Sequence, residues 1–135
     1  MSTTPPEYFE AVYAAGPDPW PAGRWYEVRK RGLLLAALPE PRYRRAVEPG
    51  CGAGALTVAL AGRCDEVVAV ERSTVAADAA RAATRGLPGV EVRTGVVPQE
   101  WPAGGYDLAV LSEVGYYTDA AGWSALLDTA VAGLA

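Results

Sequence analysis

Glu48-Pro49-Gly50-Cys51-Gly52-Ala53-Gly54 is the stretch on which the reading of this chain turns. A short apolar run, Arg45 to Glu48, leads into it, and a helical segment from about Gly54 to Ala61 leaves it, so the glycines stand where a strand becomes a helix. Glycine admits positive φ and lets backbone approach a ligand closely, while the start of a helix offers free N–H groups. Three glycines in alternation also lose conformational entropy that a plain turn need not give up.

Outward from this turn, short apolar runs alternate with helical segments. The further runs are Glu66 to Glu71, Val90 to Thr94 and Tyr106 to Leu111, and a helix from Ser73 to Arg85 is opened by a serine cap and closed by Gly86. This alternation predicts an α/β fold built on a parallel sheet with helices on both faces. A last helix after Thr118 or Asp119 carries Trp123, Leu126, Leu127, Ala130, Val131 and Leu134 at spacings that predict one buried stripe. Upstream, Thr4-Pro5-Pro6-Glu7 predicts a helix starting near Pro5 with Thr4 as its cap, and residues 16–23 read as a loop. A second helix spans Trp25 to Leu38, with Val28, Leu34, Leu35 and Leu38 spaced for burial. The expected organisation is one domain: a helical cap over 1–43 and a sheet-bearing core over 44–135.

Composition narrows the function classes. The chain has 135 residues, half of them hydrophobic, with twelve basic and sixteen acidic side chains for a net charge of −4. That charge argues against a nucleic-acid partner, and Arg29-Lys30-Arg31 and Arg42-Tyr43-Arg44-Arg45 are too short to reverse it. There is no histidine, which removes catalytic triads that use one, and Cys51 and Cys64 match no metal-ligand spacing, so no metal is expected. No apolar run approaches the roughly 20 residues of a membrane span, and the N-terminus lacks the pattern of a secretory signal. The expectation is a cytoplasmic protein with no membrane partner.

The glycine turn gains meaning from Glu71, which closes the second apolar run. An α/β nucleotide fold places a carboxylate there to accept hydrogen bonds from ribose hydroxyls, although Glu71 alone reads equally as a solvated strand end. Two ligand classes share this geometry. Gly50-x-Gly52-x-x-Ala55 formally satisfies the dinucleotide fingerprint, which keeps an NAD-binding oxidoreductase fragment as a rival. Against it, Glu48 would repel a pyrophosphate and would welcome a cationic amino-acid ligand.

These residues resemble a class I S-adenosylmethionine-dependent methyltransferase, with Glu48 to Gly54 similar to its first motif. Asp18-Pro19-Trp20, Trp25-Tyr26-Glu27-x-Arg29-Lys30, Trp101-Pro102 and Asp107-Leu108-Ala109-Val110-Leu111-Ser112-Glu113-Val114-Gly115-Tyr116-Tyr117 resemble the NodS-like branch, which N-methylates an amino sugar. The resemblance implies a Rossmann-like fold and S-adenosyl-L-methionine as cofactor. By position, Gly50, Cys51, Gly52 and Gly54 would line the cofactor, Glu48 would stand near its amino group and Glu71 would hold its ribose. Arg29 would pair with its carboxylate, and Ser112 would also touch it. Trp20, Trp25 and Tyr26 would close over it or pack in the core.

Glu113, Tyr116 and Tyr117, after the fourth strand, are the candidates for catalysis and the acceptor pocket. The acceptor is expected to be a small molecule such as an amine on a sugar. Where many relatives place an aspartate for the adenine amine, this chain has Val96. The family sheet runs 3-2-1-4-5-7-6, and this chain supplies the first four strands, in the order 3-2-1-4. An exposed fourth-strand edge predicts self-association, and a donor-binding fragment without turnover is the alternative to an active enzyme.

Overall fold

The computed structural model describes residues 4–16 and 18–134, with Tyr116 described by its backbone only. The start of the N-terminal reading (Met1 to Thr3), Pro17 of the predicted loop and the side chain of Tyr116 therefore lie outside the described residues.

Four strands form a parallel sheet, as the alternation predicts, in the order β3-β2-β1-β4 that the family resemblance implies. They are β1 (Tyr43–Pro49), β2 (Cys64–Glu71), β3 (Val90–Thr94) and β4 (Leu108–Ala109). Consecutive residues of β1 and β2 point to opposite faces, yet Ala46 and Val47, like Val67 and Val68, are all buried. Burial on both faces is what a parallel sheet with helices on either side requires.

On one face Ala46, Val67 and Val110 pack with Leu56 and Leu60 of α3 (Ala55–Ala61), and Leu34, Leu35 and Leu38 lean on this cluster. Leu34 and Leu35 belong to α2 (Trp25–Ala37), and Leu38 caps its C-terminus. On the other face Val47, Val68 and Tyr106 form one cluster, whereas Ala69, on the same face as Val67, packs on Ala80 of α4 (Thr74–Ala83) beside α3.

Local chemistry explains the helix starts. The Ser73 hydroxyl accepts from the Ala76 N–H at the head of α4, and the Asp119 carboxylate accepts from the Gly122 N–H at the head of α5 (Ala120–Gly133). At α1 (Pro6–Ala14) the expectation of a Thr4 cap is corrected. Pro5 occupies the cap position without a side-chain bond, and the Thr4 N–H instead reaches the Tyr117 carbonyl at 2.8 Å.

Three further expectations change. The fourth run, Tyr106 to Leu111, pairs with β1 only over Leu108–Ala109, because the Asp107 carboxylate diverts the start of the ladder by accepting from the Arg44 and Arg45 N–H groups, both at 2.8 Å. The outer edge of this segment is not wholly unpaired, since Tyr106 bridges Leu134 and donates its N–H to the Gly133 carbonyl. On α5 the predicted stripe splits: Leu126 and Ala130 are buried, while Leu127, Val131 and Leu134 are exposed, Val131 at 67%. Val28 of α2 is likewise exposed, because that helix rests on α3 by its leucines alone.

Candidate functional site

A cavity of about 760 Å³ opens at the carboxyl ends of β1 and β2, the edge at which parallel α/β sheets bind ligands. Its floor is the glycine turn. Gly50 has φ +68°, and a Cβ there would stand 2.5 Å from Val114 Cγ1, so only glycine lets the turn lie under the segment that follows β4. Gly54, with φ +91°, serves a different purpose from the one expected. It does not line the cavity; a Cβ on it would stand 3.0 Å from Ala80, and its bare backbone is what lets the head of α3 touch α4.

Two carboxylates face this cavity. Glu71 ends β2, and its oxygens are aimed by backbone: Oε1 accepts from the Gly52 N–H at 3.0 Å and Oε2 from the Ser73 N–H at 2.8 Å. Burial holds its carboxyl above the ordinary range, and these N–H groups oppose that push. Glu48, near the end of β1, is only 3% exposed and accepts one hydrogen bond, from the Thr57 hydroxyl at 2.6 Å. Burial pushes its carboxyl up to about 8. Neither carboxylate joins an ion pair with a lysine or arginine among the described residues. Cys51 sits between them, its thiol pushed upward by burial and by both acids, so it is an inert wall rather than a nucleophile.

The opposite wall comes from the segment after β4. Ser112, Glu113 and Tyr117 all line the cavity. Glu113 is the one non-glycine residue with positive φ, +58°, among those described, and Lys30 of α2 grips both its oxygens, at 2.9 and 3.0 Å. The same ammonium lies 3.1 Å from Glu27 and over the Tyr26 ring. Tyr117 packs edge-on against Phe9 of α1, with ring centroids 4.9 Å apart.

Arg29 is not brought to the site. It is exposed and rests over the Trp25 ring, and its neighbours Lys30 and Arg31 reach the cavity in its place. Trp20 and Tyr26 line the cavity, whereas Trp25, 75% exposed, does not. Val96 lines it with Gly95 and Val97, so the wall beyond β3 offers apolar surface and backbone rather than an acid. Sequence reasoning missed Thr57, Lys30, Arg31 and Tyr13 as site residues; for Tyr13 the aromatic face of α1 was the available signal. Among the described residues no cluster suited to a metal ion is present, and no helix is long and apolar enough to cross a membrane.

The sequence matches a family model described as a methyltransferase domain over residues 46–135. Among solved structures, a Pseudomonas syringae protein described as a methyltransferase shares 48% identity at a TM-score of 0.76, with 83% of this chain and 70% of that one covered. The N-methyltransferase NodS from Bradyrhizobium japonicum WM9, in complex with S-adenosyl-L-homocysteine, shares 27% identity at a TM-score of 0.86, covering 96% of this chain and 67% of that one. Phosphoethanolamine N-methyltransferase 1 of Haemonchus contortus has the same fold, with a TM-score of 0.82 at 17% identity, and 96% of this chain covers 29% of that one. No curated protein matches. The chain spans about two thirds of the length of the first two relatives.

Proposed function

The chain belongs to the methyltransferase-domain family, and from that premise we propose that it binds S-adenosylmethionine in this cavity and transfers the methyl group to a small-molecule amine. The observation that carries the reading is the pair of buried carboxylates without cationic partners, Glu48 and Glu71, above a glycine turn whose space a Cβ would fill. That donor set suits a ligand with hydroxyls at one point and positive charge at another, and it opposes a pyrophosphate. The nicotinamide reading therefore loses its footing. A volume of about 760 Å³ is also within the range of cofactor sites.

In this reading Glu71 receives the ribose hydroxyls, because each of its oxygens keeps a lone pair beyond the backbone N–H it already accepts. Glu48, which burial keeps protonated in the free chain at neutral pH, faces the ligand's ammonium, and that charge favours its ionised form. The apolar and backbone surface at Gly95 to Val97 takes the adenine, and Ser112 stands beside it. The bound cofactor supplies an electrophilic methyl on a sulfonium. The chain's own work is alignment and exclusion of water, and alignment alone can contribute roughly 7 to 11 kcal/mol. An amine acceptor must shed a proton before it attacks, and Glu113 and Tyr117 are the groups on the acceptor wall able to receive or relay it. A net charge of −4 favours such a cationic small molecule over a nucleic acid.

A second reading, a donor-binding chain without turnover, is favoured by the share of the relatives' length that the chain spans. Calorimetric titration with S-adenosylhomocysteine, with NAD and a Glu71→Ala variant alongside, tests the donor site. Saturable binding of the first ligand alone, weakened by the variant, is expected. Transfer of labelled methyl to amines and not to the corresponding alcohols then separates the enzyme from the binding module.

A further inference from the structure

Tyr13 takes no part in the reading above. It lies in the last turn of α1 and is 6% exposed, with its ring edge-on to Trp20 at 6.3 Å. Its hydroxyl stands 3.2 Å from where a Cβ on Gly52 would be, directly over the glycine turn and inside the cavity. No hydrogen bond reaches that hydroxyl among the described residues.

The hydroxyl opens into the cavity without a protein partner among those residues, which leaves its donor placed to meet a ligand group that enters there. The groups around it say what that partner is. Burial first, and then Glu71 of β2, Cys51 of the glycine turn, Tyr117 beyond β4 and Asp18 beyond α1, disfavour a phenolate, so the group is an O–H able to donate. Glu71 is near enough to act on it by charge, yet its oxygens accept from the Gly52 and Ser73 N–H groups and none from this hydroxyl among the described residues.

We propose that Tyr13 is a cofactor-binding residue whose phenol donates a hydrogen bond to an oxygen of the adenosyl ligand, either its ribose or its carboxylate. The assignment rests on the methyltransferase reading and adds to it a contact from the N-terminal helix. Gly52 then has two duties: its N–H aims Glu71, and its missing side chain leaves room for the Tyr13 hydroxyl.

Tyr13→Phe keeps the ring and removes only the donor. Calorimetry should show S-adenosylhomocysteine binding the variant about tenfold more weakly than the wild type, with the melting temperature of the free protein unchanged or raised. Titration with 5′-methylthioadenosine, which lacks the amino-acid portion, locates the acceptor. A loss that persists assigns it to the ribose, and a loss that vanishes assigns it to the carboxylate. Equal affinity of wild type and variant for S-adenosylhomocysteine overturns the assignment alone. A wild type that does not bind this ligand overturns the methyltransferase reading and the assignment with it.

Discussion

The two ends of the sheet are held by different means. Around β1, α3, β2 and α4, backbone meets backbone at close range and buried polar groups find partners, as with Glu71 between two N–H groups and Glu48 on Thr57. Around β4 and α5, two strand residues pair with β1 and half of the apolar stripe faces outward. The first end is specified by close contacts that leave little room, the second by contacts that leave more. A mutation should therefore be read by the end on which it falls.

The largest contrast is expected at Glu71. Glu71→Ala strands the Gly52 and Ser73 N–H groups, each at about 1 to 3 kcal/mol, so the melting temperature should drop by several degrees and S-adenosylhomocysteine affinity by roughly 100-fold. A variant that melts as the wild type would break the claim that this end is tightly specified. Next in size is Gly54→Ala, which places a methyl 3.0 Å from Ala80 at φ +91° and should cost about 1 to 3 kcal/mol in denaturant melts. At the other end, Val131→Ala on the exposed face should stay within about 0.5 kcal/mol.

A pH titration sharpens the same contrast. The Glu48 carboxyl moves from 4.5 to about 8 on folding, so between these values the folded chain holds a proton that the unfolded chain has lost. Its contribution to stability is full below pH 4.5, declines as pH rises, and is gone above about 8. Glu71, also raised, acts with the same sign. Thermal melts from pH 5 to 8.5 should show this fall, and Glu48→Gln should flatten it; an unchanged slope in the variant would place the titrating group elsewhere.

The smallest effect belongs to the α5 face. Sedimentation at tens of micromolar should show weak self-association that Val131→Lys reduces, and a monodisperse wild-type monomer would sink the expectation attached to the fourth-strand edge.

The tightly specified end was the legible one. Gly50, Gly52, Gly54, Glu71 and the Ser73 cap stand out because each answers a local backbone demand that sequence spacing displays. Residues whose roles depend on how helices pack were harder to place. Arg29 and Lys30 are neighbours on α2, and only the seating of that helix by Leu34 and Leu35 decides which of them meets Glu113. Thr57 reaches Glu48 across nine residues with no motif to announce it. The α5 stripe reads as buried from periodicity, but periodicity reports that a face is apolar, not whether anything covers it. β4 is short because Asp107 binds the backbone of β1, a contact invisible in an apolar run.

The contact between Gly54 and Ala80 carries an implication for anyone redesigning this protein. Ala80 is outside the cavity, in a helix rich in alanine, and looks like an inviting place to add bulk for thermostability. A larger residue there would lever the head of α3 upward and tilt the glycine turn with it, so ligand affinity would be lost through a position that never meets the ligand. Directed evolution for heat resistance should accordingly leave Ala80 untouched, and an affinity screen of Ala80 variants would expose that hidden trade.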